Sequence, residues 1–240
     1  MPCVDDAIES AESFSEEKGE ALTWRSPDAF AGEMTLDLHL DADGWRASMS
    51  KPEPRHGSVF VPGASCMVDP DDRAVKEIAM HVSEITSGLP DWKRVQTALN
   101  LVQTGIHYAA DSELYGTEEF WARPSEVLYL KHGDCEDTSA LFCSIVLAMG
   151  LDAVLVDLPG HMAVGVCLGS VPDAPPEASF QHGGKTWWYC ETASNEPVGI
   201  GERTLKGDYI VREPSDAGIG GAFVSAVAWW RSVIRTATGA

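Results

Sequence analysis

Residues 131–150 read KHGDCEDTSALFCSIVLAMG, and the organisation of the chain follows from them. Asp134 stands where a helix N-cap belongs, Asp137 follows three residues on in capping-box fashion, and Gly150 is a natural stop. Between them Ala140, Leu141, Phe142, Ile145, Val146 and Leu147 put apolar groups on most sides of the helix. A helix that is apolar nearly all round belongs in an interior. The stretch therefore predicts a central, buried helix with Cys135 in its first turn.

Downstream, DAVLVDL (152–158) and HMAVGVCL (161–168) read as strands joined across Pro159-Gly160, and TWWYCET (186–192) as another. The Pro- and acid-rich segment 170–184 reads as a surface loop. Upstream, Val75, Ile78, Ala79, Val82 and Ile85 fall at helical spacing before Gly88 and Pro90. A second helix is expected from about Asp91 to Ile106, with Trp92, Val95, Ala98, Leu99 and Val102 on one face. HYAADSELYGTEEFWARP (107–124) is irregular and aromatic, and a short helical segment, SEVLYL, follows Pro124.

Nearer the start, Met34–Leu40 alternates apolar and polar residues, DADG (41–44) reads as a turn, and Trp45–Met49 resumes the alternation. That pattern predicts a β-hairpin, with SVFV at 58–61 a further short strand. The expected divisions are an acidic flexible lead-in over 1–30, a β extension over 31–70, the main domain over 71–215 and an apolar, helical tail over 216–240. Segregated helices and strands argue α+β with an antiparallel sheet. No glycine-rich phosphate loop follows a strand.

The chain has 240 residues, 44% hydrophobic and 22% charged, ordinary values for a globular protein and enough for a self-sufficient core. The charge is unusual: 17 basic residues face 37 acidic ones, a net −20. Such a field repels nucleic acid and anionic lipid, so neither is an expected partner. Adaptation to a salty cytoplasm and ordinary acidity both account for it. The six cysteines are scattered, with no CxxC, and each defaults to a buried thiol. The opening residues have no basic and apolar signal pattern, and the tail's apolar run falls short of a bilayer span, so a cytoplasmic location is expected.

Cys135 is the informative cysteine. A thiolate at a helix N-terminus meets partial positive charge and orphan N–H groups, both of which lower its pKa. Asp134, Glu136 and Asp137 oppose that, so an imidazolium partner is needed. His161, at the mouth of a strand, suits a general base, and Glu191, ending an aromatic strand, could fix its tautomer. Each has a plain alternative: a core thiol, a structural histidine, a solvated acid. His132, Asp134, Cys135 and Asp137 are metal-binding types, but consecutive positions on a turn do not easily converge on one tetrahedral ion. No metal or cofactor is expected.

The segments GDCEDTSALFCSIVLAMGLDAVLVDLPGHMAVGV (133–166) and WWYCETA (187–193) resemble the transglutaminase-like superfamily of Cys-His-Asp thiol enzymes, in particular its bacterial and archaeal cysteine-peptidase branch. The similarity covers about residues 71–212. It implies a transglutaminase-like, papain-like α+β fold, with the cysteine helix packed on an antiparallel sheet. It also implies a nucleophile at Cys135, a base at His161 and an acid at Glu191, where most members carry Asp. The Cys135 N–H would form part of an oxyanion hole; the Gln103 amide is the candidate second donor, against its being a polar position on a partly exposed helix. The implied chemistry is acyl transfer from a peptide or protein amide through a thioester. The alternatives are an inactive relative that binds peptides and a true protein-glutamine transferase.

Overall fold

The computed structural model describes residues 4–14, 21–26, 33–51, 55, 56 and 63–214. In chain order its elements begin with helix α1 (Val4–Phe14), strands β1 (Ala21–Arg25) and β2 (Glu33–Asp37), and helices α2 (Ala42–Met49), α3 (Arg73–Ile85) and α4 (Asp91–Gly105). A two-residue strand β3 (His107–Tyr108), helices α5 (Asp111–Leu114) and α6 (Pro124–Leu130), and another short strand β4 (His132–Gly133) lead into helix α7 (Cys135–Ala148). Strands β5 (Ala153–Leu158), β6 (His161–Cys167), β7 (Ser179–His182), β8 (Lys185–Cys190) and β9 (Ile210–Arg212) complete it.

The architecture is α+β. The five late strands form one antiparallel sheet in the order β7-β8-β6-β5-β9. Helix α7 lies against β5 and β6, with α3, α4 and α6 packed around it. Every residue from Glu136 to Val146 is buried, as an all-round apolar helix requires. Each fully buried Leu, Ile, Val or Phe on it contributes about 1.5–3 kcal/mol. The inner face of the sheet, with Leu155, Val164, Val166, Trp188 and Cys190, joins this core. Val154, Val156, Phe180 and Trp187 form a smaller cluster on the outer face.

Several expectations change. Residues 42–49 are helical because Asp41 caps them, its Oδ1 accepting from Gly44 N at 2.6 Å. Trp45 and Met49, four apart, are both buried on one helical face, so the apparent alternation was half of a longer period. The hairpin forms one strand earlier, between β1 and β2, with Thr23 opposite Thr35. The lead-in contains α1, whose small residues Ala7 and Ala11 are buried one turn apart. The loop over 170–184 holds β7, joined to β8 by Gly183-Gly184. Both glycines have positive φ (57° and 76°), as a two-residue hairpin turn demands. The strand expected at 58–61 and the C-terminal tail lie outside the described residues.

The early segments are tied in by charge. Glu126 on α6 is fully buried and accepts from Arg55 Nη1 (2.6 Å) and Nη2 (2.9 Å), Ser48 Oγ (2.6 Å) and the Arg123 main-chain N–H (2.8 Å). Arg55, also buried, donates besides to the carbonyls of Ser48, Met49 and Trp121. The five described cysteines are free thiols. None of the described helices is long and apolar enough to cross a membrane.

Candidate active site

Cys135 opens α7, after Asp134 in extended backbone. The expected capping box does not form: Asp134 makes no side-chain cap bond. Asp137 instead turns its Oδ1 to the Ala122 N–H at 2.8 Å, holding the chain before α6. The approach is close enough to require glycine at position 133, where a Cβ would lie 2.8 Å from that of Asp137. The helix start is secured by Thr138, whose hydroxyl donates to the Asp134 carbonyl at 2.7 Å.

His161 leads β6 directly after the Pro159-Gly160 turn, and Glu191 follows the end of the neighbouring strand β8. Their side chains meet: His161 Nε2 lies 3.1 and 3.0 Å from Glu191 Oε1 and Oε2. A proton on Nε2 leaves Nδ1 as the acceptor nitrogen. Burial pushes the Glu191 carboxyl up. The hydrogen bond and charge of His161, the Ala193 N–H and Arg203 outweigh it and hold the group below the usual range. The strand end is pinned to the cysteine helix, since Thr192 Oγ1 lies within hydrogen-bond distance of Thr138 (3.1 Å) and Ser139 (2.9 Å).

Cys135 and His161 line one cleft of about 510 Å³, together with Tyr108, Glu119, Trp121, Glu136 and others. They are not hydrogen-bonded to each other. The Cys135 thiol donates to Glu136 Oε2 at 3.1 Å. Burial, then the Glu136 carboxylate and its hydrogen bond, then Asp134, push the thiol well above its ordinary pKa. The Met162 main-chain N–H, next to His161, works in the opposite sense. The thiol is therefore turned toward an acid, and its surroundings disfavour ionisation.

Gln103 corrects the oxyanion expectation. It is buried, and both ends of its amide are engaged: Nε2 donates to the carbonyls of Glu191 (2.7 Å) and Val198 (3.2 Å), while Oε1 accepts from Val198 N at 3.0 Å. It braces the segment after β8 rather than offering a free donor.

Sequence reasoning missed the depth of acid around the cysteine. Asp111, carried in by α5, is buried with Asp137 beside the half-buried Asp134, and their carboxylate oxygens lie within 4.8 Å of one another. Asp111 Oδ1, Asp134 Oδ1 and Asp137 Oδ2 are buried with no hydrogen-bond partner. Burial first, then the neighbouring Asp134 charge, raises Asp111 to about 9. Burial and Asp137 raise Asp134 to about 10, and burial with Asp111 lifts Asp137 well above the carboxylate range. Two overlapping sets, Asp134-Cys135-Glu136 and Asp111-Glu119-Glu136, are equally close. His132 belongs to none of these sets, and His132, Asp134, Cys135 and Asp137 do not come together as one; two of the three sets draw on Asp111 of α5, one of them with Glu119 beyond it. An oxygen-rich set of this kind suits a hard cation such as calcium or magnesium. The three acids of GDCED were the visible signal; Asp111 and Glu119, some fifteen to twenty-five residues earlier, carried none.

The cleft can chemically present a thiol, an imidazole with an ionised partner, and main-chain N–H groups at a helix start. No protein-family model matches the chain, and no curated protein matches it either.

Proposed function

We propose that the protein is a thiol-dependent acyl-transfer enzyme, an amide or peptide hydrolase of transglutaminase-like type, with Cys135 as nucleophile, His161 as base and Glu191 as acid. The observation that carries this reading is that His161, paired with Glu191 at the end of the adjacent strand, lines the same cleft as a cysteine at a helix N-terminus. The fold agrees with what the sequence resemblance implies: a cysteine-bearing buried helix against an antiparallel sheet that supplies the other two residues.

Catalysis begins with rotation of the Cys135 side chain away from Glu136. Its proton passes to His161 Nδ1, and the sulfur attacks the substrate carbonyl carbon. The new imidazolium is steadied by Glu191 through Nε2–H and gives its proton to the departing amine, leaving a thioester. Water, deprotonated by His161, then releases the acid and regenerates the thiol. The orphan N–H groups in the first turn of α7 face the developing oxyanion.

A second reading, a catalytically idle relative that binds peptides, is favoured by one observation: the thiol points at Glu136 and its ionisation is disfavoured. Iodoacetamide labelling at pH 7, read by mass spectrometry, separates the two. An enzyme labels at Cys135 ahead of its buried thiols, and His161→Ala slows that reaction; cleavage of an amide library is lost in Cys135→Ala. Equal labelling of wild type and His161→Ala, with no cleavage, would establish the idle reading.

A further inference from the structure

Glutamate has one more side-chain torsion than aspartate, so a carboxylate on this longer arm orients an imidazole only where something fixes that torsion. Four groups besides His161 converge on Glu191. The Tyr189 hydroxyl donates to Oε2 at 3.2 Å and the Ala193 N–H to Oε1 at 3.1 Å. Arg203 Nη1 stands 3.6 Å from Oε2, and Gln103 holds the main-chain carbonyl. Tyr189 precedes Glu191 by two residues, on the same side of the strand by the period of a β-strand. It is buried, and among the described residues its hydroxyl makes only this hydrogen bond. The segment that carries Arg203 is tied to the same tyrosine, because Gly201 N donates to the Tyr189 carbonyl at 2.8 Å.

We propose that Tyr189 and Arg203 are positioning residues for Glu191. They lock this long side chain against the His161 ring. The purpose of the lock rests on the acyl-transfer reading, but the lock itself is a statement about geometry and is measurable without turnover. Tyr189 supplies a directed hydrogen bond that fixes the torsion. Arg203, half-exposed, supplies charge that keeps the carboxylate ionised while the ring is neutral.

The test is the exchange rate of the His161 Nε2–H proton with water, followed by nitrogen-edited NMR at pH 7. It compares wild type with Tyr189→Phe, Arg203→Gln, the double variant and Arg203→Lys. The double variant is expected to exchange about tenfold faster, the worth of one net hydrogen bond. Each single variant should fall between it and wild type, and Arg203→Lys should stay at the wild-type rate. If Tyr189→Phe does not fold, Arg203→Gln alone decides, since that side chain is exposed. Unchanged exchange in the folded variants, even with altered melting temperatures, overturns the proposal. Faster exchange in a protein that cleaves no amide would retire the enzyme reading and leave the positioning role standing.

Discussion

The two walls of the site, one behind His161 and one behind Cys135, hold carboxylates in opposite conditions. Glu191, nearly buried, accepts from a ring, a hydroxyl and a main-chain N–H, and is held ionised. Asp111, Asp134 and Asp137 keep one oxygen each without a donor, and all three are pushed toward the protonated form. Burial raises both sets. What separates them is whether donors or other acids stand beside the group. The His161–Glu191 pair is thus held in place with its carboxylate ionised, whereas the surroundings of the Cys135 thiol are electrostatically unfavourable to a thiolate.

The largest expected effect strikes the satisfied wall. Glu191→Gln keeps the shape but loses the charge that steadies the imidazolium, and should lower the amide cleavage rate by about 10³–10⁴-fold. Asp111→Asn, on the other wall, should leave that rate within an order of magnitude. Comparable losses in both would erase the contrast.

Stability against pH sharpens it next. Burial and the neighbouring acids push Asp111 up to about 9 and Asp134 up to about 10, far above an unfolded value near 4. Such groups take up protons on folding. Their contribution is full below about pH 4 and is lost progressively as pH rises through the folded midpoints. Glu191 behaves in the reverse way: its midpoint is depressed, so its contribution is present above about pH 4 and lost on acidification. Melting temperature in chelator-containing buffer should therefore fall from about pH 5 to 9, with Asp111→Asn flattening the decline. A melting temperature that climbs over that range in wild type would contradict the crowding of acids.

The smallest effect concerns the brace behind the satisfied wall. Gln103→Leu leaves the buried Val198 N–H and the Glu191 carbonyl without their amide partner, while the Val198 carbonyl keeps Gln96 Nε2 at 3.3 Å. It should cost about 2–3 kcal/mol in urea unfolding. A loss below about 0.5 kcal/mol would mean that the segment after β8 is held by other contacts.

The parts legible in the sequence were those with a single unambiguous period. Val75 to Ile85, Asp91 to Ile106 and the stretch 135–148 form helices, and 153–158, 161–167 and 185–190 form strands, near the places their patterns indicate. Residues 45–49 were misread because five residues with Trp first and Met last fit both periods, and the cap at Asp41 decided the matter. Strand β7 hid in a Pro-rich stretch whose Gly-Gly turn was the overlooked signal. At the site, adjacent antiparallel strands bring His161 beside Glu191. The direction of the Cys135 thiol was beyond reach, because Glu136 competes for it through a rotamer, and rotamers leave no trace in residue order.

The Arg55–Glu126 ion pair has a practical consequence for anyone cutting this chain. Removing everything before α3 would delete Arg55 and Ser48 while keeping Glu126, leaving its buried carboxylate to Arg123 alone, whose Nη1 stands 3.4 Å away and whose main-chain N–H donates at 2.8 Å. Losing one partner of such a pair costs about 3–5 kcal/mol, a large share of the margin by which a domain stays folded. Cutting away the opening segment therefore weakens the footing of the cysteine helix and its sheet, and a trimmed version stands better if it retains residue 55 or neutralises residue 126.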